Sequence, residues 1–137
     1  MRHLYKHEVR WADVDAFQHV NNATYLVYFQ EARVDFHWYA PARRGETPML
    51  MDMVVARAEV DFIEPIKEPH KFLDIEVWCS RVGNSSFDLS YEATLDGVVV
   101  SRGKTVQVAV DMKDERSRPL RDEEREFLNK YFESEDK

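Results

Sequence analysis

The sequence predicts an α+β fold in which one antiparallel, five-stranded sheet wraps a central helix. Three observations predict it. Apolar and polar residues alternate over five separate stretches, one long run carries a helical stripe of aromatic residues, and Asp96–Gly97 marks a tight hairpin. Clean alternation gives each strand one buried and one more polar face, which suits antiparallel pairing. A sheet with one apolar face can cover one helix.

The first strand is read from Tyr5 to Trp11, where Tyr5, Val9 and Trp11 alternate with Lys6, Glu8 and Arg10. The chain then turns through Asp13–His19. From about Asn22 to Tyr39, Tyr25, Phe29, Ala32, Phe36 and Tyr39 recur at steps of four and three, the period of an amphipathic helix. Asn21 is placed as its N-cap, with Val20 and Tyr25 spaced for a hydrophobic staple. Pro41, Gly45 and Pro48 end it in a loop. Val54, Ala56, Ala58, Val60 and Phe62 mark the second strand, and Leu73, Ile75, Val77 and Cys79 the third. After a turn at Gly83–Asn84, Phe87, Leu89, Tyr91, Ala93 and Leu95 mark the fourth. A type I′ turn at Asp96–Gly97 needs positive φ at both central residues and joins it to the fifth. That last strand is read from Val98, Val100, Val106, Val108 and Val110, with Arg102 and Lys104 interrupting its apolar face. A charged helix from Asp122 to about Phe132 closes the chain, within 120–133, and the tail beyond it is expected to fray.

A chain of 137 residues fits a single domain, 1–137, with a real hydrophobic core. The net charge of −7 argues against a general binder of nucleic-acid backbones. The single cysteine, Cys79, excludes an internal disulfide and a multi-cysteine metal site. His3 and His7 have metal-like spacing only on a helix, and they fall on a strand, so neither a metal nor a cofactor is expected. No apolar run reaches the length of a membrane span and no signal peptide precedes the first strand. A cytoplasmic protein is expected.

The chemistry concentrates in Arg10–Arg33, RWADVDAFQHVNNATYLVYFQEAR. Two aspartates, a histidine and two asparagines fall directly before the helical run. A carboxylate held beside the positive end of a helix suits an acyl-transfer site, because negative charge developing on a substrate carbonyl is stabilised there. Such a site needs no serine, cysteine or metal. Asp15 can attack an acyl carbonyl or deprotonate water, whereas the plainer role is a turn aspartate capping backbone N–H groups. Spacing does not choose between Asp13 and Asp15, which would share a face of a continuing strand. His19 can polarise the carbonyl, assist the water or brace the turn. Asn21 and Asn22 can contact substrate, although helix capping explains at least one of them. The backbone N–H groups near Val20–Asn22 are the natural oxyanion donors. Tyr25 can border an acyl pocket or pack the core. Arg57, Arg81, Ser85, Ser86 and Lys104 are candidates for the anionic and polar groups of a substrate, and solvated positions explain them equally well.

Asp13-Val14-Asp15, His19-Val20-Asn21-Asn22, Tyr25 and Glu31-Ala32-Arg33, with the order of elements to about Met112, resemble the hotdog-fold thioesterases. The similar branch holds 4-hydroxybenzoyl-CoA thioesterase-like and plant acyl-carrier-protein thioesterase-like enzymes. The resemblance implies a curved sheet around the helix and a homodimer or homotetramer with active sites at the subunit interface. It also implies hydrolysis of an acyl-CoA to a carboxylic acid and CoA. Within it, the second aspartate of the pair, Asp15, takes the part of the catalytic carboxylate. Many relatives have glycine where this chain has Gln18, and the plant enzymes have glutamine there. Those plant enzymes also carry an asparagine at the place of Phe17 and a proposed catalytic cysteine with no counterpart in this chain. An acyl-carrier protein therefore stands as the alternative substrate carrier, and a non-catalytic acyl-binding dimer as the alternative outside catalysis.

Overall fold

The structure, a computed structural model, describes residues 1–135. Its strands are β1 (His3–Glu8), β2 (Met53–Phe62), β3 (Phe72–Val82), β4 (Ser86–Leu95) and β5 (Val98–Ala109). They form one antiparallel sheet in the order β1-β3-β4-β5-β2. Helix α1 (Asn22–Val34) lies against one face of this sheet. It runs on through a π turn at Asp35–Tyr39 into α2 (Ala40–Arg43), and α3 (Asp122–Lys130) closes the fold. Tyr25, Phe29, Ala32 and Phe36 of the helical stripe are buried against Leu73, Ile75, Val77, Leu89 and Tyr91 of the sheet. The expected α+β architecture is the observed one.

The pairing register defines two ends of the sheet. Glu8 opposite Phe72 and Phe62 opposite Ser101 lie at one end, from which the 10–21 turn departs. Ser86 opposite Val108 and Met53 opposite Ala109 lie at the other. Asp96 and Gly97 adopt φ of 51° and 81°, as a type I′ hairpin requires.

Four local readings change. β1 stops at Glu8, and Trp11 enters a 3₁₀ turn (Trp11–Asp13) with its indole 76% exposed rather than on the core face. Pro41 does not end the helix. It stands in the first turn of α2, directly after the π turn, and the helix continues through it to Arg43. The tail after α3 is pinned where expected to fray: Cys79 N–H donates to the Tyr131 carbonyl (2.9 Å) and Glu133 N–H to the Cys79 carbonyl (2.8 Å). Residues 136–137 of that tail lie outside the described residues.

The fourth change concerns β5. Its helix-facing side is Ser101, Gly103, Thr105, Gln107 and Ala109, while Val106, Val108 and Val110 are only half-buried on the other face. Register dictates this: Gly103, Thr105 and Gln107 stand opposite Tyr91, Leu89 and Phe87, the core side of β4. At Gly103 itself a Cβ would come within 2.6 Å of the Phe29 ring, so the helix passes too close for a side chain there. Burying polar side chains there demands partners. Ser101 Oγ donates to the Asp61 carbonyl (2.9 Å), Thr105 Oγ1 lies 2.6 Å from the Tyr91 hydroxyl, and Gln107 Nε2 donates to the Phe87 carbonyl (3.3 Å).

Candidate active site

The two aspartates that spacing left equivalent have opposite environments. Asp13 is buried. Its Oδ2 accepts from the Tyr28 hydroxyl (2.7 Å) and the Arg10 N–H (2.9 Å), and Arg10 Nη2 lies 3.4 Å from Oδ1. Burial by itself raises a carboxyl, but these donors outweigh it and hold Asp13 below its ordinary value. Burial and Asp13 together push the Tyr28 phenol up, so it remains the donor. Asp13 thus ties the turn to the middle of α1.

Asp15 is half-exposed on the following turn. Its N–H donates to the His19 carbonyl (3.1 Å) and its own carbonyl accepts from Gln18 N–H (2.9 Å), closing a tight loop. Gln18 holds φ at 66°, the left-handed region that suits glycine; another residue there costs roughly 1–2 kcal/mol. The Asp15 carboxylate accepts from Phe17 N–H (2.9 Å, Oδ1) and from Asn21 Nδ2 (3.2 Å, Oδ2). These contacts orient the group, and each oxygen keeps a further lone pair. Asn21 also caps α1, its Oδ1 accepting from Ala23 N–H (2.9 Å). One asparagine therefore couples the carboxylate to the helix N-terminus.

Among the expected oxyanion donors, two are already committed: Val20 N–H donates to the Ile66 carbonyl (2.7 Å) and Asn21 N–H to the Asp13 carbonyl (3.2 Å). Asn22 N–H, the first of α1, makes no hydrogen bond among the described residues. Asn22 lines a cleft of about 170 Å³ with His19, Tyr25, Phe62 and Ile63. His19 Nδ1 lies 3.4 Å from the Val20 carbonyl, a weak contact that fixes the ring loosely. Tyr25 is buried, its ring edge-on to Phe62 at 5.1 Å, and burial raises its phenol. Asp15 stands beside this cleft and does not line it.

Asp15, His19, Asn21, Asn22 and Tyr25 thus come together at one end of the sheet. Arg57, Ser85 and Ser86 do not join them. Arg57 pairs with Glu59 (2.7 Å) midway along β2. Ser85 and Ser86 sit at the β3–β4 turn, at the opposite end of the sheet, where Ser86 Oγ accepts from Arg81 (2.9 Å). Arg81 is held by Asp88 (2.9 Å) and Lys104 by Glu135 (2.7 Å). Sequence spacing cannot show this, because strand order decides which turns share an end. His3 and His7 face α1: His3 Nε2 lies 2.8 Å from Asp35, and His7 packs on Tyr28 at 4.5 Å. No group of three or more His, Cys, Asp or Glu that could hold a metal occurs among the described residues. Cys79 is buried, and desolvation pushes its thiol up to about 11.

The sequence reading missed a second, larger cavity of about 220 Å³ at the Met53 end of the sheet. Its lining includes Arg33, His37, Leu50, Met53, Phe87 and Gln107. The displaced register of β5 concealed it, because Gln107 was expected on the outer face.

One long helix cradled by a five-stranded antiparallel sheet is the hotdog fold. Residues 9–128 match the thioesterase-like superfamily, and the chain belongs to that family. It is 33% identical over 124 residues to an uncharacterized protein, YsmA, of Bacillus subtilis, covering 90% of this chain and 82% of that one. It is 30% identical over 123 residues to the long-chain acyl-CoA thioesterase FadM of Escherichia coli, covering 88% and 92%. Among solved structures, a thioesterase of Thermus thermophilus complexed with coenzyme A and zinc superposes with a TM-score of 0.78 at 29% identity, covering 93% and 92%. The chain is a thioester hydrolase by family and fold.

Proposed function

We propose that this chain hydrolyses an acyl-CoA to a free carboxylic acid and CoA, with Asp15 as nucleophile or general base. The observation that carries this reading is the Asp15 carboxylate, oriented by Phe17 N–H and by the Asn21 side chain that caps α1. Asn22 N–H supplies the oxyanion donor, and His19 steadies the thioester or the attacking water. Thiolate is a good leaving group, so little proton donation is needed. A CoA carrier is favoured over an acyl-carrier protein by the acyl-CoA substrate of the E. coli relative and the coenzyme A in the T. thermophilus structure. The reaction needs no cofactor beyond the CoA of its substrate. No helix among the described residues is long and apolar enough to cross a membrane, which fits a cytoplasmic enzyme.

The functional unit is a homodimer, or a tetramer built from it. Strand β2 is an outer strand of ten residues with Val54, Val55 and Phe62 about half exposed, flanked by exposed Leu26 and Val27 on α1. A long apolar edge is an aggregation hazard unless paired. Antiparallel pairing with a second β2 pairs it under a two-fold axis. That axis sets the Met53 end of one protomer beside the Phe62 end of its partner, so the 220 Å³ cavity of one chain opens toward the Asp15 turn of the other. It supplies the wall that Asp15 lacks within its own chain.

A thiol-release assay over acyl-CoAs of graded length and aromaticity tests the function. Turnover by the wild type and its loss in Asp15→Ala are expected. Binding of acyl-CoAs without any hydrolysis would instead establish an acyl-binding dimer.

A further inference from the structure

We infer that the β2 pairing of the dimer is held in one register, with the two-fold axis on Ala58 and Arg57 of each protomer directly opposite the partner's Glu59. The inference rests on the β2 dimer proposed above and names the residues that select one alignment of the two strands over the others.

The open edge of β2 fixes what a second copy can meet. Ile63 N–H donates to the Val100 carbonyl, and the Glu59 carbonyl oxygen lies 3.2 Å from where a Cβ on Gly103 would stand. Odd-numbered residues of this stretch therefore spend their backbone groups on β5. By alternation, Ala58, Val60 and Phe62 turn theirs to the open edge. The same alternation sends Arg57, Glu59 and Asp61 to the outer face of the sheet, opposite Val106, Lys104 and Arg102 of β5. Residues directly opposite each other in an antiparallel pair share a face, so under a two-fold axis one residue faces its own copy.

Charge decides which residue that is. An axis on Arg57, Glu59 or Asp61 sets a charge against its own copy. An axis on Val60 sets Glu59 against the partner's Asp61, twice over. An axis on Ala56 falls on the bulge between Val55 and Arg57, where the ladder is broken. One nearer either end leaves at least half of the ten-residue strand unpaired. An axis on Ala58 sets Arg57 against the partner's Glu59, twice over. Opposite charges directly across a strand pair stabilise it and like charges destabilise it.

The two side chains are available for this. They pair within the chain at 2.7 Å while remaining 70% and 51% exposed, so the axis closes a ring of alternating charges. The basic groups beside them on β5 are occupied elsewhere, Lys104 by Glu135 (2.7 Å) and Arg102 by Glu92 (3.0 Å). This axis also serves the proposed reaction. Counting outward from Ala58, Phe62 and Ile63 come alongside the partner's Val54 and Met53. Phe62 and Ile63 line the cleft that holds Asn22, and Met53 lines the 220 Å³ cavity, so the two spaces meet across the strand pair.

The test is charge exchange followed by sedimentation velocity. Arg57→Glu and Glu59→Arg each set like charges across the axis and are expected to raise the dimer Kd about tenfold or more. The exchanged chain, Arg57→Glu/Glu59→Arg, restores the alternation and is expected to return to within about threefold of wild type. Cross-linking then reads the axis directly. Ala58→Cys faces its own copy at a Cα separation of about 5.5 Å, within disulfide range, whereas Val60→Cys stands about 14 Å from its copy. Diamide is expected to make a covalent dimer through Ala58→Cys and none through Val60→Cys, with buried Cys79 taking no part. A dimer broken by Arg57→Glu but not recovered by the exchange overturns the register and leaves the β2 dimer standing. So does a missing cross-link at Ala58→Cys, or one formed as readily at Val60→Cys. A wild type that sediments as a monomer, or a dimer indifferent to Arg57→Glu, removes the pairing and the register together.

Discussion

The two ends of the sheet are finished in opposite ways. At the Phe62 end, the chain leaves β1 through a turn whose polar groups nearly all serve the backbone: Asp13 ties down α1, Asn21 caps it, and Asp15 closes the loop. At the Met53 end, a cavity is lined largely by apolar residues, among them Leu50, Met53, Phe87 and Leu89. The first end orients a reactive group without enclosing it, and the second encloses a space without reactive chemistry. Strand β2 runs between them with an unpaired apolar edge, and in the proposed dimer a two-fold axis across that edge would set each end beside the other.

The strongest way to break this comparison is to separate the chains. Arg57→Glu places a second acidic residue beside Glu59 in the middle of the exposed edge, where symmetry doubles it. Sedimentation velocity is expected to shift from dimer to monomer, with thioesterase activity falling at least tenfold and the circular dichroism spectrum retained. A dimer that persists with full activity removes β2 as the interface.

A smaller effect sharpens the Phe62 end. Tyr28→Phe deletes the 2.7 Å donor to buried Asp13 and should cost about 1.5–3 kcal/mol in urea unfolding, as hydrogen bonds to charged groups do. A loss below about 0.5 kcal/mol would mean that Asp13 does not anchor the helix.

Stability should also fall with acid in two stages. Burial lowers His3, His7 and His37 below the free value of 6.5, so the unfolded chain takes up protons first as pH drops beneath it. Asp13 and Glu124 are held below their free values of 3.8 and 4.5, and their contribution is complete above those values and lost as pH falls through the lower folded ones. Urea titrations between pH 7 and 3 check both stages, and Asp13→Asn should flatten the second. Least affected of all is the thiol. With Cys79 pushed up to about 11 by burial, a thiol reagent at pH 8 should react only after denaturant is added.

Much of the fold was legible in the sequence, and for definite reasons. The helical stripe, the N-cap at Asn21 and the hairpin at Asp96–Gly97 are local signals, each fixed by a few adjacent residues. The face of β5 was not, because the choice between Val106 and Gln107 for the inner side is made by the pairing register, which sets Gln107 opposite buried Phe87. For the same reason the cavity at the Met53 end had no signature in the spacing. Asp15, His19, Asn21, Asn22 and Tyr25 share one turn and helix start because they lie within eleven positions of one another. Arg57, Ser85 and Ser86 lie apart from that turn within the chain, and their relation to it is set by strand order and chain assembly. Spacing left Asp13 and Asp15 equivalent and only the resemblance favoured Asp15; in the structure Tyr28 and Arg10 close on Asp13 and leave Asp15 half-open.

The most direct measurement is single-turnover hydrolysis of an acyl-CoA by Asp15→Asn beside the wild type, with both confirmed as folded. The substitution keeps the size of the side chain and one acceptor, and removes the charge together with the second acceptor oxygen. A loss of about 10²- to 10⁴-fold is predicted, the span of a positioned acid–base group. A rate within threefold of the wild type would contradict the assignment of this carboxylate and the chemistry built on it.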